Sequence, residues 1–175
     1  MNRAGRGDFI KRIIYIVLAC ILGFSLVGCT KTYKGTDGLI EKAREEIPIS
    51  DADTADIQYG GMCAIDDTAL VWFISGNEDQ AHYYLPMEVK IKGDTKYTYV
   101  RTYKPMSPLL DIAVLNWNRG YSFIVNNPNC VSVKIIDKTG THEEIIEKGA
   151  YPYVFYWSSV PSEYIFIDDE GNELT

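Results

Sequence analysis

The feature that most constrains the fold is a series of short β-type runs that fills most of the chain after residue 57. These runs are rich in Val, Ile, Tyr, Phe and Trp, and turn residues separate them without an intervening helical pattern. Such spacing predicts a mainly β fold, either an antiparallel β-sandwich or a partly open barrel. The predicted strands cover residues 58–65, 69–74, 81–91, 95–103, 112–117, 121–125, 131–136, 142–147, 151–157 and 164–168.

The composition of individual runs predicts where they lie in the sheets. Residues 70–74 and 153–157 are apolar on both faces, which is typical of central strands, whereas 96–104 is mixed and bounded by lysines, as edge strands often are. Residues 118–120 and 137–140 each join two apolar runs and end in Gly. Both segments are predicted to form tight hairpins.

One amphipathic helix is predicted before the strands. Apolar residues fall on one side of residues 39–47, and Pro48 follows them. Little more than two turns of helix would be marginally stable alone, so we expect it to pack against the domain. The preceding residues, 29–38, are polar and contain Gly, which predicts a tether to a single domain over 39–175.

The first 28 residues have the order of an export signal. Four basic residues and one acid lie within the first twelve positions, and the 15 residues 13–27 carry no charge and are mostly apolar. About 20 apolar residues are needed to cross the hydrocarbon core of a bilayer. The pattern therefore predicts a cleaved signal peptide over 1–28 in preference to a permanent membrane span.

The end of this run, Leu26-Val27-Gly28-Cys29, resembles the lipobox of bacterial lipoproteins. In that class a diacylglyceryl group is attached to the Cys thiol, and signal peptidase II cleaves the preceding bond. The resemblance implies cleavage between Gly28 and Cys29, acylation of Cys29, and a membrane partner held through the two acyl chains. It places the protein on the outer face of the cell membrane, or at an outer membrane if the source has one. Cleavage before Cys20 is disfavoured because an apolar segment would remain exposed.

Charge limits the partners of the mature domain. The predicted signal holds four of the 17 Lys and Arg and one of the 24 Asp and Glu, so 13 basic and 23 acidic side chains remain, a net charge of about −10. Nucleic acids and anionic lipid surfaces both favour a basic face. We therefore expect no nucleic-acid partner and a domain that stands off its membrane.

Two cysteines remain after processing besides the acylated one. Cys63 and Cys130 each lie in or next to a predicted strand, and an oxidising exterior would permit a disulfide bond between them. Two separate buried thiols are the alternative, because the sequence does not show whether their Cα atoms lie within bonding range.

A possible binding surface is predicted on residues 95–103. Tyr97, Tyr99 and Tyr103 are expected on one face of the strand with Arg101 among them. Exposed aromatic rings give a large contact area at low entropic cost and suit an envelope protein, a peptide or a glycan. The alternative is structural, because Tyr is also favoured in strands for its packing.

Catalytic, metal and cofactor motifs are poorly represented. His82 and His142 are not in a metal-binding pair, Ser158 and Ser159 lack the nucleophile-elbow glycines, and no phosphate-binding loop is present. The acidic loop 51–56 lacks the Gly and Glu that an EF-hand requires at its sixth and twelfth positions. No metal and no cofactor is therefore predicted.

Three functions fit these observations. The first is a membrane-anchored interaction module outside the cytoplasm. The second is a small envelope hydrolase or transferase that uses His82 or His142 with a carboxylate or thiol. The third is a protective lipoprotein of the immunity type, which shields a membrane neighbour. A β-sandwich is compatible with all three, so the fold class does not choose among them.

Overall fold

The computed structural model describes residues 31–47, 56–76 and 82–175, which contain eleven strands and one helix. The mainly β fold with one short N-terminal helix is thus confirmed. In chain order the elements are β1 (Thr32–Lys34), α1 (Gly35–Glu46), β2 (Ile57–Ile65), β3 (Thr68–Ser75), β4 (Tyr83–Ile91), β5 (Lys96–Thr102), β6 (Ile112–Trp117), β7 (Gly120–Val125), β8 (Ser132–Asp137), β9 (Gly140–Ile145), β10 (Tyr153–Trp157) and β11 (Glu163–Ile167).

The described strands form three antiparallel sheets. Sheet A has five strands in the order β1-β5-β4-β3-β2, sheet B has three in the order β10-β7-β6, and sheet C has three in the order β11-β8-β9. Most neighbouring strands are also consecutive in the chain, as in β2-β3-β4-β5 and β6-β7. Short hairpin connections therefore account for most of the topology.

The layers follow from the two-residue period of the strands. In β7, Phe123 and Val125 face a cluster shared with sheet C, whereas Ile124 faces a cluster shared with sheet A. Sheet B is therefore the middle layer, buried on both faces. On the other side of sheet A, Leu39 and Ala43 of α1 are fully buried against the sheet. The order of layers is α1, sheet A, sheet B and sheet C.

Two strands with apolar residues on both faces were predicted to be central in their sheets, and this prediction is correct for β3 but not for β10. Residues 70–74 lie in β3, which is flanked by β2 and β4. The prediction that 153–157 forms a central strand is wrong, because β10 is an edge strand of sheet B. It is apolar on both faces because its whole sheet lies between two others. The lysine-bounded strand, β5, lies one strand from the edge and is covered there only by the three-residue β1.

The folded unit begins earlier than predicted, so the tether predicted over 29–38 is too long. Thr32–Lys34 pair with β5, and α1 starts at Gly35 instead of residue 39. Gly35 has φ +67° and donates its N–H to Thr95 O (2.8 Å), which lets the chain turn directly from strand to helix. Tyr33 is buried beside α1 and holds this segment to the domain. Among the described residues only Lys31 precedes β1.

Both predicted hairpins are present, but their glycines act differently. Gly140 closes the β8–β9 turn with φ +134°, as expected. In the β6–β7 turn, the positive φ angles belong to Asn118 (+48°) and Arg119 (+65°). Gly120 instead allows β10 to approach the turn closely, because a Cβ at this position would lie 2.1 Å from Trp157 O. Strand β10 can therefore pack tightly on this turn.

Candidate functional site

β5 and the residue that follows it carry the predicted binding surface, which consists of Tyr97, Tyr99, Arg101 and Tyr103. In the β4–β5 register, Tyr99 pairs with Val89 but Arg101 pairs with the adjacent Glu88, so Val100 is an extra residue in a β-bulge. A one-residue insertion reverses the alternation of all side chains beyond it. The four residues are therefore divided between the two faces of sheet A.

The prediction that the three tyrosines share one exposed face is accordingly wrong. Before the bulge, Tyr97 is buried in the cluster under α1, and Tyr99 packs against the same cluster. After the bulge, Tyr103 packs against the cluster between sheets A and B. Only Arg101 is largely exposed. The structural alternative for these tyrosines is the one that the packing supports.

Glu88 accepts hydrogen bonds from two residues beyond the bulge and from one residue of β6. Its Oε2 accepts hydrogen bonds from Arg101 Nη2 (2.8 Å), Tyr103 Oη (2.5 Å) and Trp117 Nε1 (3.3 Å). The Arg101 guanidinium also lies 4.6 Å from the centre of the Tyr103 ring. Burial alone would raise the pKa of Glu88, but the bonds from Tyr103 and Arg101 outweigh it and hold the pKa below its ordinary value. This cluster joins sheet A to β6.

Cys63 and Cys130 are two separate, free and buried thiols, so the disulfide bond considered between them is not formed. Cys63 lies between sheets A and B with its Sγ 3.2 Å from Ser122 Oγ, whereas Cys130 lies between sheets B and C. Burial raises the pKa of both thiols. A protonated, buried thiol is a poor nucleophile, so neither cysteine indicates catalysis.

His142 stabilises a turn and is not arranged as a catalytic base. Thr139 Oγ1 donates its only proton to Asp137 (2.5 Å) and lies 2.8 Å from His142 Nε2. A nucleophile would instead have to give that proton to the histidine. Asp137 also accepts hydrogen bonds from Ser159 Oγ and Trp157 Nε1, and these groups, Ser159 first, hold its pKa well below the usual range. Together they fix the β8–β9 turn against β10.

His82 belongs to a network that fixes the loop before β6. Asp111 Oδ1 lies 2.9 Å from His82 Nδ1 and accepts a hydrogen bond from Tyr84 Oη (2.9 Å). Asp111 has φ +53°, a strained conformation for a residue with a Cβ. Its carbonyl accepts a bond from Asn126 N, and Asn127 Nδ2 donates to Leu110 O (3.0 Å). The end of the loop is therefore held from several sides.

This fixed loop, residues 107–111, presents a leucine to solvent. Leu109 is fully exposed, with a relative accessible area of 103%. Beside it lies an open apolar cleft of about 360 Å³. The cleft is lined by Pro108, Leu109, Leu110, Ile112, Phe166 and Thr175. A projecting apolar side chain next to an apolar recess is the arrangement of a contact surface, and the volume falls within the range of ligand sites.

Acidic residues lie close to the cleft. β11 supplies Phe166 to the cleft wall, and the chain then turns back so that Leu174 N donates to Phe166 O (2.9 Å). The turn between them carries the exposed carboxylates of Asp169, Glu170 and Glu173. The apolar cleft is therefore bordered on one side by negative charge.

Sequence reasoning missed this site, although a signal was present. Pro108, Leu109 and Leu110 form an apolar group inside a loop, between the strands predicted over 95–103 and 112–117. A loop with two leucines and no strand alternation does not contribute to a core by pattern, which points to a contact outside the domain. Which neighbours form the cleft could not be foreseen, because Phe166 is more than fifty residues away.

The remaining sequence features concern the lipobox, membrane-spanning helices and metal sites. The lipobox, including Gly28 and Cys29, lies outside the described residues. Within the described ranges, no helix is both long and apolar enough to span a bilayer. The same ranges contain no cluster of three or more His, Cys, Asp or Glu side chains that could hold a metal ion.

Comparison of the chain with protein-family models, with curated proteins and with solved structures finds no match. The function must therefore be argued from the chain's own residues.

Proposed function

We propose that this chain is a lipoprotein anchored outside the cytoplasm through Cys29, and that its domain binds a protein partner through the Leu109 loop and the adjacent cleft. The anchor is supported by the basic start, the apolar run and the lipobox-like sequence. The binding site is supported by one observation above all. Leu109 is fully exposed on a loop whose next two residues, Leu110 and Asp111, are held by hydrogen bonds from Asn127 and Tyr84.

Exposure of the Leu109 side chain to water is unfavourable in free energy, and burial against a partner would recover that free energy. Burial of a Leu side chain is worth about 1.5–3 kcal/mol, and the fixed loop has little conformational entropy left to lose on binding. Leu109 projects while the cleft beside it recedes, so the partner must offer both a recess and an apolar side chain. A protein surface or peptide can provide both features, and a small molecule fits only the cleft.

The charge of the domain limits which partner segments are favoured at the cleft. Asp169, Glu170 and Glu173 lie beside the cleft, and the mature domain carries a net charge of about −10. Complementary charge speeds association and disfavours acidic competitors. The expected partner segment has an apolar side chain flanked by Lys or Arg.

The test uses the acylated mature protein held in phosphatidylcholine vesicles and a display library of random peptides. We expect enrichment of peptides in which Leu, Phe or Trp is flanked by basic residues. Leu109→Asp should abolish their binding without changing the free energy of unfolding by more than about 0.5 kcal/mol, because the side chain makes no buried contact.

Val160→Asp is the matched control. Val160 is also an exposed apolar residue, and its replacement introduces the same charge away from the cleft. This variant should bind the selected peptides like the wild type. Peptides that bind both variants equally, or a selection without enrichment, would contradict the proposed site.

A further inference from the structure

Four lysines lie on one face of sheet A near the start of the folded unit. Lys34 is directly opposite Lys96 in the β1–β5 register, and Lys92 N donates to Lys96 O (2.8 Å), so these three form a row across neighbouring strands. Lys90 lies in the next row, opposite Thr98. We call Lys34, Lys90, Lys92 and Lys96 the lysine face.

The lysine face is open to solvent on the side of sheet A away from α1. The residues that alternate with these lysines, Tyr33, Tyr97 and Ile91, pack under α1, so the lysines point the other way. Sheet B covers that side over β2, β3 and β4. Among the described residues, however, the cluster between the two sheets includes none from β1 or β5. All four lysines are exposed.

Among the described residues this face has no ion-pair partner, although Asp67 lies near it and its backbone O accepts a hydrogen bond from Ile91 N (2.7 Å). None of the four lysines forms an ion pair with a described residue, and the one acid in the β4–β5 turn, Asp94, forms none either. Like charges placed directly opposite one another on a sheet are unfavourable. Lysines can protect a sheet edge from aggregation, but two neighbouring rows exceed what the three-residue edge strand β1 needs. An anionic partner would compensate them.

The position of the anchor identifies that partner. Only Thr30 and Lys31 separate Cys29 from Thr32, the first residue of β1, so the two Cα atoms are at most about 11 Å apart. Attraction between charges extends over about 8 Å at physiological ionic strength. An acyl chain on Cys29 therefore keeps the lysine face within reach of the lipid headgroups.

We infer that the lysine face contacts anionic lipid headgroups of the membrane that holds the anchor and so sets the orientation of the domain. The inference rests on the proposed lipid anchor. It also refines the expectation that the acidic domain stands off its membrane, because the net charge of about −10 is distributed unevenly and the surface beside the anchor is basic.

The test measures how fast each lysine is acetylated by a membrane-impermeant reagent, sulfo-N-hydroxysuccinimide acetate. The acylated mature protein is placed in vesicles of phosphatidylcholine alone or of phosphatidylcholine with phosphatidylglycerol, and peptides are quantified by mass spectrometry after a brief pulse. We expect phosphatidylglycerol to slow acetylation of the lysine face about fivefold, and high salt to reverse the effect; its members are Lys34, Lys90, Lys92 and Lys96. Lys138 and Lys148, both exposed in distant turns, should react equally in both vesicles.

A pair of charge-matched variants separates this contact from general electrostatics. Lys34→Glu with Lys96→Glu should remove the protection of Lys90 and Lys92, whereas Lys138→Glu with Lys148→Glu, which has the same net charge, should retain it. Circular dichroism establishes that both variants are folded.

Each other outcome counts against a defined part of the inference. Equal acetylation rates in the two vesicles, on protein whose mass shows the lipid, would overturn the membrane contact and leave only edge protection for the lysines. Protein whose mass lacks the lipid on Cys29 would overturn the anchor in the proposed function, and with it this inference, but not the binding site at Leu109, which the peptide selection tests separately.

Discussion

Single residues decide which side chains lie on each face of sheet A. Val100 is one extra residue in β5, and it moves Arg101 and Tyr103 to the face opposite Tyr97. Glu88 then gathers the residues beyond the bulge in one hydrogen-bonded cluster. A side chain with three partners and 14% exposure contributes to stability more than an ordinary surface ion pair does.

Glu88→Gln should lower the free energy of unfolding by about 1–3 kcal/mol at pH 7, because the amide cannot accept all the donors that the carboxylate accepts. Since the pKa of Glu88 is lowered in the folded state, its stabilisation is fully present above the ordinary value of 4.5 and is lost as the pH falls through the folded-state pKa. Urea unfolding should therefore show a smaller difference between wild type and variant at pH 3 than at pH 7. Glu147→Gln, on an exposed loop, is the control and should change stability by less than about 0.5 kcal/mol at either pH. An E88Q deficit that grows on acidification would contradict the role given to this carboxylate.

At the scale of elements, the sequence predicts most of what is local. The short runs, the two tight hairpins and the single helix are recognisable because alternation, turn residues and a stop at Pro48 act over a few positions. The edge position of β10 and the cleft between β6 and β11 depend on which sheets stack. Stacking brings together residues far apart in the chain, such as Ile112 and Phe166, so local pattern does not reveal it. The bulge at Val100 is hidden for a different reason, since Tyr, Val and Thr suit a regular strand equally well.

Two Gly→Ala substitutions test how the elements fit together and should act in opposite directions. In Gly120→Ala the new Cβ would meet Trp157 O at 2.1 Å, so β10 must move, and we expect a loss of about 1–3 kcal/mol in the free energy of unfolding. In Gly38→Ala, within α1, the nearest atom is 3.5 Å away, and the variant should be more stable by about 0.5–1 kcal/mol. Urea unfolding of both proteins checks the two signs. A harmless Gly120→Ala would show that β10 does not pack closely on the β6–β7 turn.

At the scale of the whole molecule, β4 connects the two proposed surfaces. Tyr84 near one end of the strand holds Asp111 behind the Leu109 loop, and Lys92 follows its other end in the lysine face. Eight residues of extended strand span about 26 Å. The lysine face and the Leu109 loop are therefore separated along β4 by most of the length of that strand.

The lipid anchor is the central claim of the proposed function and the premise of the membrane contact, so the most direct measurement is the mass of the N-terminal peptide of the protein recovered from membranes. A lipoprotein processed at the lipobox will begin at Cys29, carry a diacylglyceryl group on that residue and lack residues 1–28. A Cys29→Ala variant made in parallel should retain its N-terminal segment and carry no lipid. A peptide that continues upstream of Cys29 with a free thiol, or a lipid on Cys20 instead, would contradict the proposal.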